Sequence, residues 1–358
     1  MGEDLEHLVS SEGLSRFLSE RFGPSGAELE VERLGEGHSN LNFLVRRGGE
    51  QWVLRRPPRG QIQAGTHEMH REFGVMKALS DAGMPVPVPP PVDLCRDDSY
   101  IGAPFYLMEH VDGVVIRGPM PDAFGSPTHR RGVGMELADK LADIHAVDWR
   151  NLGLESMARN PEEFLTRNLM RMQQLYDGVR HREMPEIDDV ASWLRANTPK
   201  QRDVTLTHGD YKLDNVMYAP KAPPRIVAVV DWEISTIGDP LVDLGWMLYF
   251  SPETNQAAAT PIDQGAEPGG SGVSPEEGYP SRAELAERYA ERTGRAIEDL
   301  RFYCAFAGWK IAIIMEGSNY RFKQGMADDS MFSALDAVVP MLAQRSLQLI
   351  SGESPVGV

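Results

Sequence analysis

Leu206-Thr-His-Gly-Asp-Tyr-Lys-Leu-Asp-Asn-Val216 carries a polar cluster between apolar flanks, and Val229-Val-Asp-Trp-Glu-Ile234 follows it closely. The second piece rises from the apolar run Ile226–Val230 and stops abruptly at Asp231. This pattern predicts strand, loop, strand, with His208, Asp210, Lys212, Asn215 and Asp231 gathered at one mouth.

Asp210 and Asn215 stand five residues apart with Lys212 between them. That is the spacing of the H-R-D-x-x-x-x-N loop of protein kinases, with Gly209 where the arginine would be. An acceptor hydroxyl must be oriented and must lose its proton as its oxygen bonds to phosphorus, and a carboxylate at Asp210 can do both. Lys212 can meet a γ-phosphate oxygen. Asn215 and Asp231 offer an amide oxygen and a carboxylate to Mg²⁺, a hard cation that takes few protein ligands and keeps several waters. A rival reading makes His208, Asp210 and Asp231 the ligands of a metallohydrolase, but no further His-rich motif supports it.

Working outward, the N-terminal part alternates apolar and polar residues in Leu29–Leu34, Leu41–Val45 and Gln51–Arg56, which predicts three strands. The turn Gly35–Asn40, with Gly37, Ser39 and Asn40, can let backbone amides reach a phosphate, or can be an ordinary hairpin. Successive side chains on a strand face opposite ways, so only one of Arg55 and Arg56 can point inward. A helix is expected over His67–Ser80, placing Glu68 and Glu72 on one face where either can reach an inward arginine. No G-x-x-x-x-G-K-[ST] occurs, so a nucleotide would not sit on a P-loop. Its adenine would lie against the segment after the next strand, where the backbone of Glu109 to Val111 offers a carbonyl and an amide.

The second part reads as mainly helical: Arg130–Val147, Pro161–Asp177, Val190–Asn197, a helix opening at Asp239-Pro240, then 281–293, about 298–318, and 328–350. The intervening stretch 252–280, rich in Pro, Gly, Ala and Ser, reads as a mobile loop, either a lid or an insertion. The expected division is therefore 1–110, a nucleotide-binding lobe, and 111–358, a catalytic and acceptor-binding lobe.

Composition sets the frame. Hydrophobic content of 41% and charged content of 25% suit a globular protein in water. A net charge of −17 argues against nucleic acid as partner, because such binding needs a basic footprint. No run approaches 18 apolar residues, so no membrane partner is expected, and the acidic start is no signal peptide. Two widely spaced cysteines, Cys95 and Cys304, suggest a reducing, cytoplasmic setting.

Leu206–Asn215 and Val230–Leu244, taken together, resemble the aminoglycoside phosphotransferase and choline kinase superfamily, from about residue 28 to 345. Val53–Pro58, Arg71-Glu-Phe73, Gly278–Arg282 and Tyr303–Arg321 are similar to the branch fused to, or encoded with, acyl-CoA dehydrogenases. The resemblance implies an α+β, two-lobed, protein-kinase-like fold: an N-terminal antiparallel sheet lobe with one main helix and a C-terminal, mostly helical lobe. It implies ATP with magnesium as donor and a small-molecule hydroxyl as acceptor. Asp210 would be the base, and Asn215 and Asp231 would hold metal. Arg55 would stand where the family has a phosphate-pairing lysine, with Glu72 as its helix partner. Arginine there keeps the charge but is not an equivalent replacement. Asp239 and Asp243 would brace the catalytic loop. For this branch the implied acceptor is a hydroxyacyl-CoA or related hydroxylated acid, whose poor hydroxyl leaving group phosphorylation would improve. An aminoglycoside- or choline-type acceptor, and a nucleotide-binding regulatory pseudokinase, stay open as alternatives.

Overall fold

The computed structural model describes residues 5–35, 40–58, 69–252, 277–325 and 334–352. Gly37, Ser39, Glu68 and nearly all of the expected lid at 252–280 lie outside them. The chain forms two compact units. One is the chain up to Gly113 together with Val227–Ile234; the other is Val114–Ile226 together with the chain from Ser235.

The first unit is built on a five-stranded antiparallel sheet in the order β1-β2-β3-β5-β4. Its elements are α1 (Ser11–Phe22), β1 (Leu29–Leu34), β2 (Leu41–Arg47), β3 (Glu50–Arg56), α2 (Met69–Asp81), β4 (Pro91–Cys95) and β5 (Phe105–Glu109). The β2–β3 hairpin closes on Gly48 and Gly49, at φ of 59° and 91°, between the paired residues Arg47 and Glu50. Positive φ at both central positions is what a tight two-residue turn needs to match strand twist, and glycine adopts it without a Cβ clash. Helices cover both faces of the sheet. Phe17 of α1 meets Phe105 edge-on at 4.9 Å, while Phe73 of α2 meets the next residue, Tyr106, at 5.8 Å. Adjacent strand residues face opposite ways, so α1 and α2 lie on opposite sides. At the start of α1, the Ser10 hydroxyl accepts the Gly13 amide and caps the helix.

In the second unit the elements are α3 (Pro127–His145), α4 (Phe164–Val179), α5 (Pro185–Ala196), β6 (Thr205–Thr207), β7 (Val216–Tyr218), β8 (Ile226–Val229, which runs on into the first unit), β9 (Thr236–Gly238), α6 (Leu241–Phe250), α7 (Arg282–Thr293), α8 (Leu300–Lys323) and α9 (Leu335–Ser351). The helix expected from Val190 begins earlier, because Pro185 can take the first helical position, where its missing N–H costs nothing. Ser281 and Glu284 form a reciprocal capping box at the start of α7, and Gly294 ends it in the left-handed conformation. α6 opens at Leu241 with Pro240 before it; Asp239, expected as the cap residue, sits one position further out and accepts the Leu241 amide at 2.9 Å. Every residue of α6 is buried, and α8 packs against α4, α5, α6 and α9. A helix apolar on all sides belongs in a core, so a charged residue inside α6 or α8 stands out. No helix among the described residues is long and apolar enough to cross a membrane.

Candidate active site

In the second unit, β6 and β9 pair antiparallel through Leu206 and Ile237, and the polar loop leaves from the end of β6. Gly209 takes φ of 87°, a conformation that an arginine at that position would adopt only with strain. The loop is braced from α6. Asp243, wholly buried, accepts the His208 amide through Oδ2 at 2.6 Å and the Gly209 amide through Oδ1 at 2.8 Å. Burial pushes the Asp243 carboxyl up, but bonds from His145 and His208 outweigh it and hold the group below the usual carboxylate range. His145, the last residue of α3, lies 3.3 Å from Asp243 through Nε2 and 2.7 Å from the Tyr289 hydroxyl through Nδ1. Burial lowers its pKa, so the ring is neutral with one N–H; that proton serves Asp243, and Nδ1 accepts from Tyr289. The expected bracing by Asp243 is thus present. Asp239 accepts from Tyr303 and Leu241, so it braces the start of α6 instead of the loop.

The Asp210 carboxylate is held on both oxygens. Trp246 Nε1–H donates to Oδ1 at 2.8 Å, and Asn215 Nδ2–H donates to Oδ2 at 2.8 Å and to the Asp210 carbonyl at 2.7 Å. This fixes the carboxylate plane and leaves the Asn215 amide oxygen as the atom available to a cation. Lys212 Nζ lies 3.8 Å from Asp210 Oδ1 and 3.5 Å from Asp214 Oδ2, over the Phe250 ring at 5.2 Å. His208 is fully buried, and its Nδ1 accepts the Asp210 amide at 3.3 Å. Among the described residues no group of three or more His, Cys, Asp or Glu side chains could hold a metal ion, which is what the metallohydrolase reading required.

In the first unit, strand alternation separates the two arginines. Arg56 faces α1 and donates to the carbonyls of Leu8, Ile101 and Pro57. Arg55 faces α2: Nε donates to Glu72 Oε2 at 3.0 Å and Nη2 to Asp231 Oδ1 at 2.5 Å, with Glu233 Oε2 at 3.5 Å. One guanidinium therefore faces three carboxylates. Burial pushes Glu72 above the usual carboxylate range; Arg55 pulls it down and Asp231 pushes it further up. Asp231 takes φ of 69°, left-handed for a residue with a side chain, just past the end of β8. Such a conformation persists only where its surroundings enforce it, and it aims this carboxylate at Arg55. Asn40 Nδ2 donates to Glu233 Oε2 at 2.6 Å, and Arg71 donates to the Glu233 carbonyl at 2.7 Å. Glu109 ends β5, its amide accepted by Pro90 at 2.8 Å, and Val111 follows in the segment leaving the unit.

The model of the phosphotransferase enzyme family matches residues 30–301. The chain belongs to that family. It is 34% identical over 354 residues to acyl-CoA dehydrogenase family member 11 of Gallus gallus, covering 96% of this chain and 44% of that protein. It is 33% identical over 355 residues to the protein of the same name from Homo sapiens, covering 96% and 43%. The chain thus spans less than half the length of these curated relatives. Among solved structures, a Ralstonia eutropha protein assigned as an aminoglycoside phosphotransferase superposes with a TM-score of 0.76 at 30% identity, covering 96% of this chain and 98% of that one. The aminoglycoside phosphotransferase APH(4)-Ia, in complex with ADP and hygromycin B, superposes at 0.54 with 17% identity over 96% of this chain and 100% of that one, which shows the fold alone. The kinase-like fold and the chemical class, a small-molecule kinase, follow from family and fold together.

Two residues of this phosphotransferase's loop environment were not singled out in the sequence, Trp246 and Lys310. Trp246 follows Asp243 by three positions, so both project from one face of α6. Lys310 is the only charged residue between Arg301 and Glu316 in an otherwise apolar run. Those two spacings were the available signals. Three further polar side chains of α8 are bonded within the second unit. Glu316, fully buried, takes a two-point contact from Arg182 at 2.8 and 2.6 Å, Asn319 donates to Asp336 at 3.0 Å, and Trp309 donates to the Ile187 carbonyl at 3.1 Å. Arg180 pairs with Glu183 and Asp188.

Proposed function

We propose that the chain transfers the γ-phosphoryl group of ATP to a hydroxyl of a small acceptor, with Asp210 as base. The observation that carries this is the Asp210 carboxylate, held on one side by Trp246 and on the other by Asn215. A base for a weakly acidic hydroxyl must be oriented before the reaction, and two fixed donors do that without neutralising it. As the acceptor oxygen bonds to phosphorus, the bond from phosphorus to the β–γ bridging oxygen breaks, ADP leaves, and the hydroxyl proton passes to Asp210. Lys212, next to Asp210, carries the positive charge for a γ-phosphate oxygen.

The donors fit magnesium. In the second unit Asn215, with its nitrogen turned to Asp210, has its amide oxygen for a cation, and in the first unit Asp231, with Oδ1 on Arg55, has Oδ2. A magnesium ion taken by such oxygens would neutralise charge on the β- and γ-phosphates. In the first unit, Arg55 stands as the cation for the α- and β-phosphates with Glu72 fixing its orientation, and Glu109 and Val111 supply the backbone for adenine. Asn40, with Gly37 and Ser39, belongs to the proposed phosphate-covering turn.

The acceptor we favour is a hydroxyacyl-CoA or related hydroxylated acid. Support comes from the names of the relatives, acyl-CoA dehydrogenase family members, with which similarity runs along 96% of this chain. Solved neighbours are complexes with hygromycin B and with kanamycin, which makes cationic acceptors the second reading. The test is ADP release from Mg·ATP across hydroxyacyl-CoA thioesters, hydroxy acids, choline and aminoglycosides. Turnover should be highest with the thioesters and fall about 100-fold or more in Asp210→Asn. Turnover on aminoglycosides alone would reassign the acceptor; unchanged turnover in Asp210→Asn would remove the base.

A further inference from the structure

We propose that Lys310 is a positioning residue for the base, acting on the Asp210 loop through the Gly209 carbonyl and the Trp246 indole. This rests on Asp210 being the base. Lys310 Nζ–H donates to the Gly209 carbonyl at 3.1 Å and sits over the Trp246 ring, 4.3 Å from its centroid. The same indole donates to Asp210 Oδ1 at 2.8 Å. One ammonium thus touches both the residue before Asp210 and the residue that holds its carboxylate.

The physical argument starts from cost. A lysine in the middle of α8, on a stretch that otherwise buries apolar side chains, loses hydration. Burial holds its pKa below the ordinary lysine value, while Asp210 and Asp243 pull it back up and Arg171 and Lys212 lower it. Those four groups come from the loop, α6 and α4. Methionine would fill the same volume without that penalty, so packing alone does not explain the lysine.

What the ammonium supplies is orientation. A cation over the face of an indole is attracted to the ring and draws its electrons, which makes the edge N–H a stronger donor. That strengthens the bond to Asp210 Oδ1. The contact with Gly209 works on the backbone: its amide is held by Asp243 and its carbonyl by Lys310, so the peptide groups on both sides of this positive-φ residue are pinned. Asp210 follows directly and inherits that orientation.

The experiment compares Lys310→Met, Lys310→Arg and Trp246→Phe with the unaltered protein in two measurements. The first is steady-state turnover with Mg·ATP and a hydroxybutyryl-CoA probe, alongside thermal denaturation. Lys310→Met should lose about 100-fold in kcat with KM for both substrates within twofold, while Tm holds or rises. Lys310→Arg should recover most of the loss, and Lys310→Met should lose less once Trp246 is phenylalanine, because only the Gly209 contact is then removed. A lowered Tm with kcat intact would make Lys310 structural. A raised acceptor KM with kcat intact would make it a binding residue. Either result overturns the proposal. The second measurement does not depend on turnover: the indole N–H resonance of Trp246 in ¹⁵N-tryptophan-labelled protein, assigned through Trp246→Phe. It should move upfield in Lys310→Met and return in Lys310→Arg; an unmoved resonance overturns the positioning role. If the unaltered protein turns over no acceptor, the kinase reading has failed, and this resonance still decides the role of Lys310.

Discussion

Arg55 Nε meets Glu72 Oε2 at 3.0 Å with only 8% and 1% of their side chains exposed. A buried ion pair adds little net stability, but breaking one strands the surviving charge. Glu72 would then face Asp231 and Glu233 without a cation. Arg55→Ala should destabilise the protein by about 3–5 kcal/mol. Arg55→Lys keeps the charge but lacks the fork that reaches Glu72 and Asp231 together, so it should cost about 1–3 kcal/mol. Urea unfolding midpoints check both, and a loss under about 1 kcal/mol for the alanine variant would show that the carboxylates relax into water.

Asp243 receives two backbone amides, from His208 and Gly209, in a fully buried place. Asparagine has one oxygen to give, so Asp243→Asn leaves one buried amide facing an NH₂ group. The expected cost is about 1–3 kcal/mol of stability, with turnover reduced and nucleotide affinity retained. Calorimetric titration of ATP beside a turnover assay separates the effects; equal losses in both would mean the loop collapses instead of shifting.

Asp239 gives a pH signature. Burial raises its pKa to about 6, against bonds from Leu241 and Tyr303 that lower it. A carboxyl whose folded pKa is raised contributes stability below its ordinary value, and that contribution is lost as pH rises through about 6. A move from the ordinary 3.8 to about 6 corresponds to about 3 kcal/mol. Asp239→Asn does not titrate, so between pH 4 and pH 7 it should gain about that much relative to the unaltered protein. Denaturant titrations at four pH values give the difference directly, and parallel curves would dismiss the effect.

Magnesium should stabilise the protein through Asp231. Three carboxylates share Arg55, so a second cation relieves repulsion there. With ATP present, adding Mg²⁺ at about ten times its dissociation constant should contribute about 1.4 kcal/mol, a rise of a few degrees in Tm. EDTA should reverse it, and Asp231→Ala should lose most of the increment. A full increment in that variant would place the metal elsewhere.

Several features were legible before any coordinates, because their causes lie within a few residues of chain. Alternation in Leu29–Leu34 and Gln51–Arg56 sets strands, and the helix read over 281–293 starts within one residue of α7. The Asp210–Asn215 spacing names a loop chemistry because both side chains come from one turn of chain, and the bond from Asn215 to Asp210 closes within it. Strand geometry even stated the choice between Arg55 and Arg56 without deciding it. The family resemblance implied Arg55 with Glu72, but only tertiary structure showed Asp231 on the same guanidinium, because Asp231 lies 176 positions away and joins the first unit through a short returning segment. The same holds for Trp246 on Asp210 and Lys310 on Gly209, contacts 36 and 101 positions apart. Local propensity acts over a helical turn or a strand pair, whereas a desolvated charge reports its purpose only through what the packed chain brings against it.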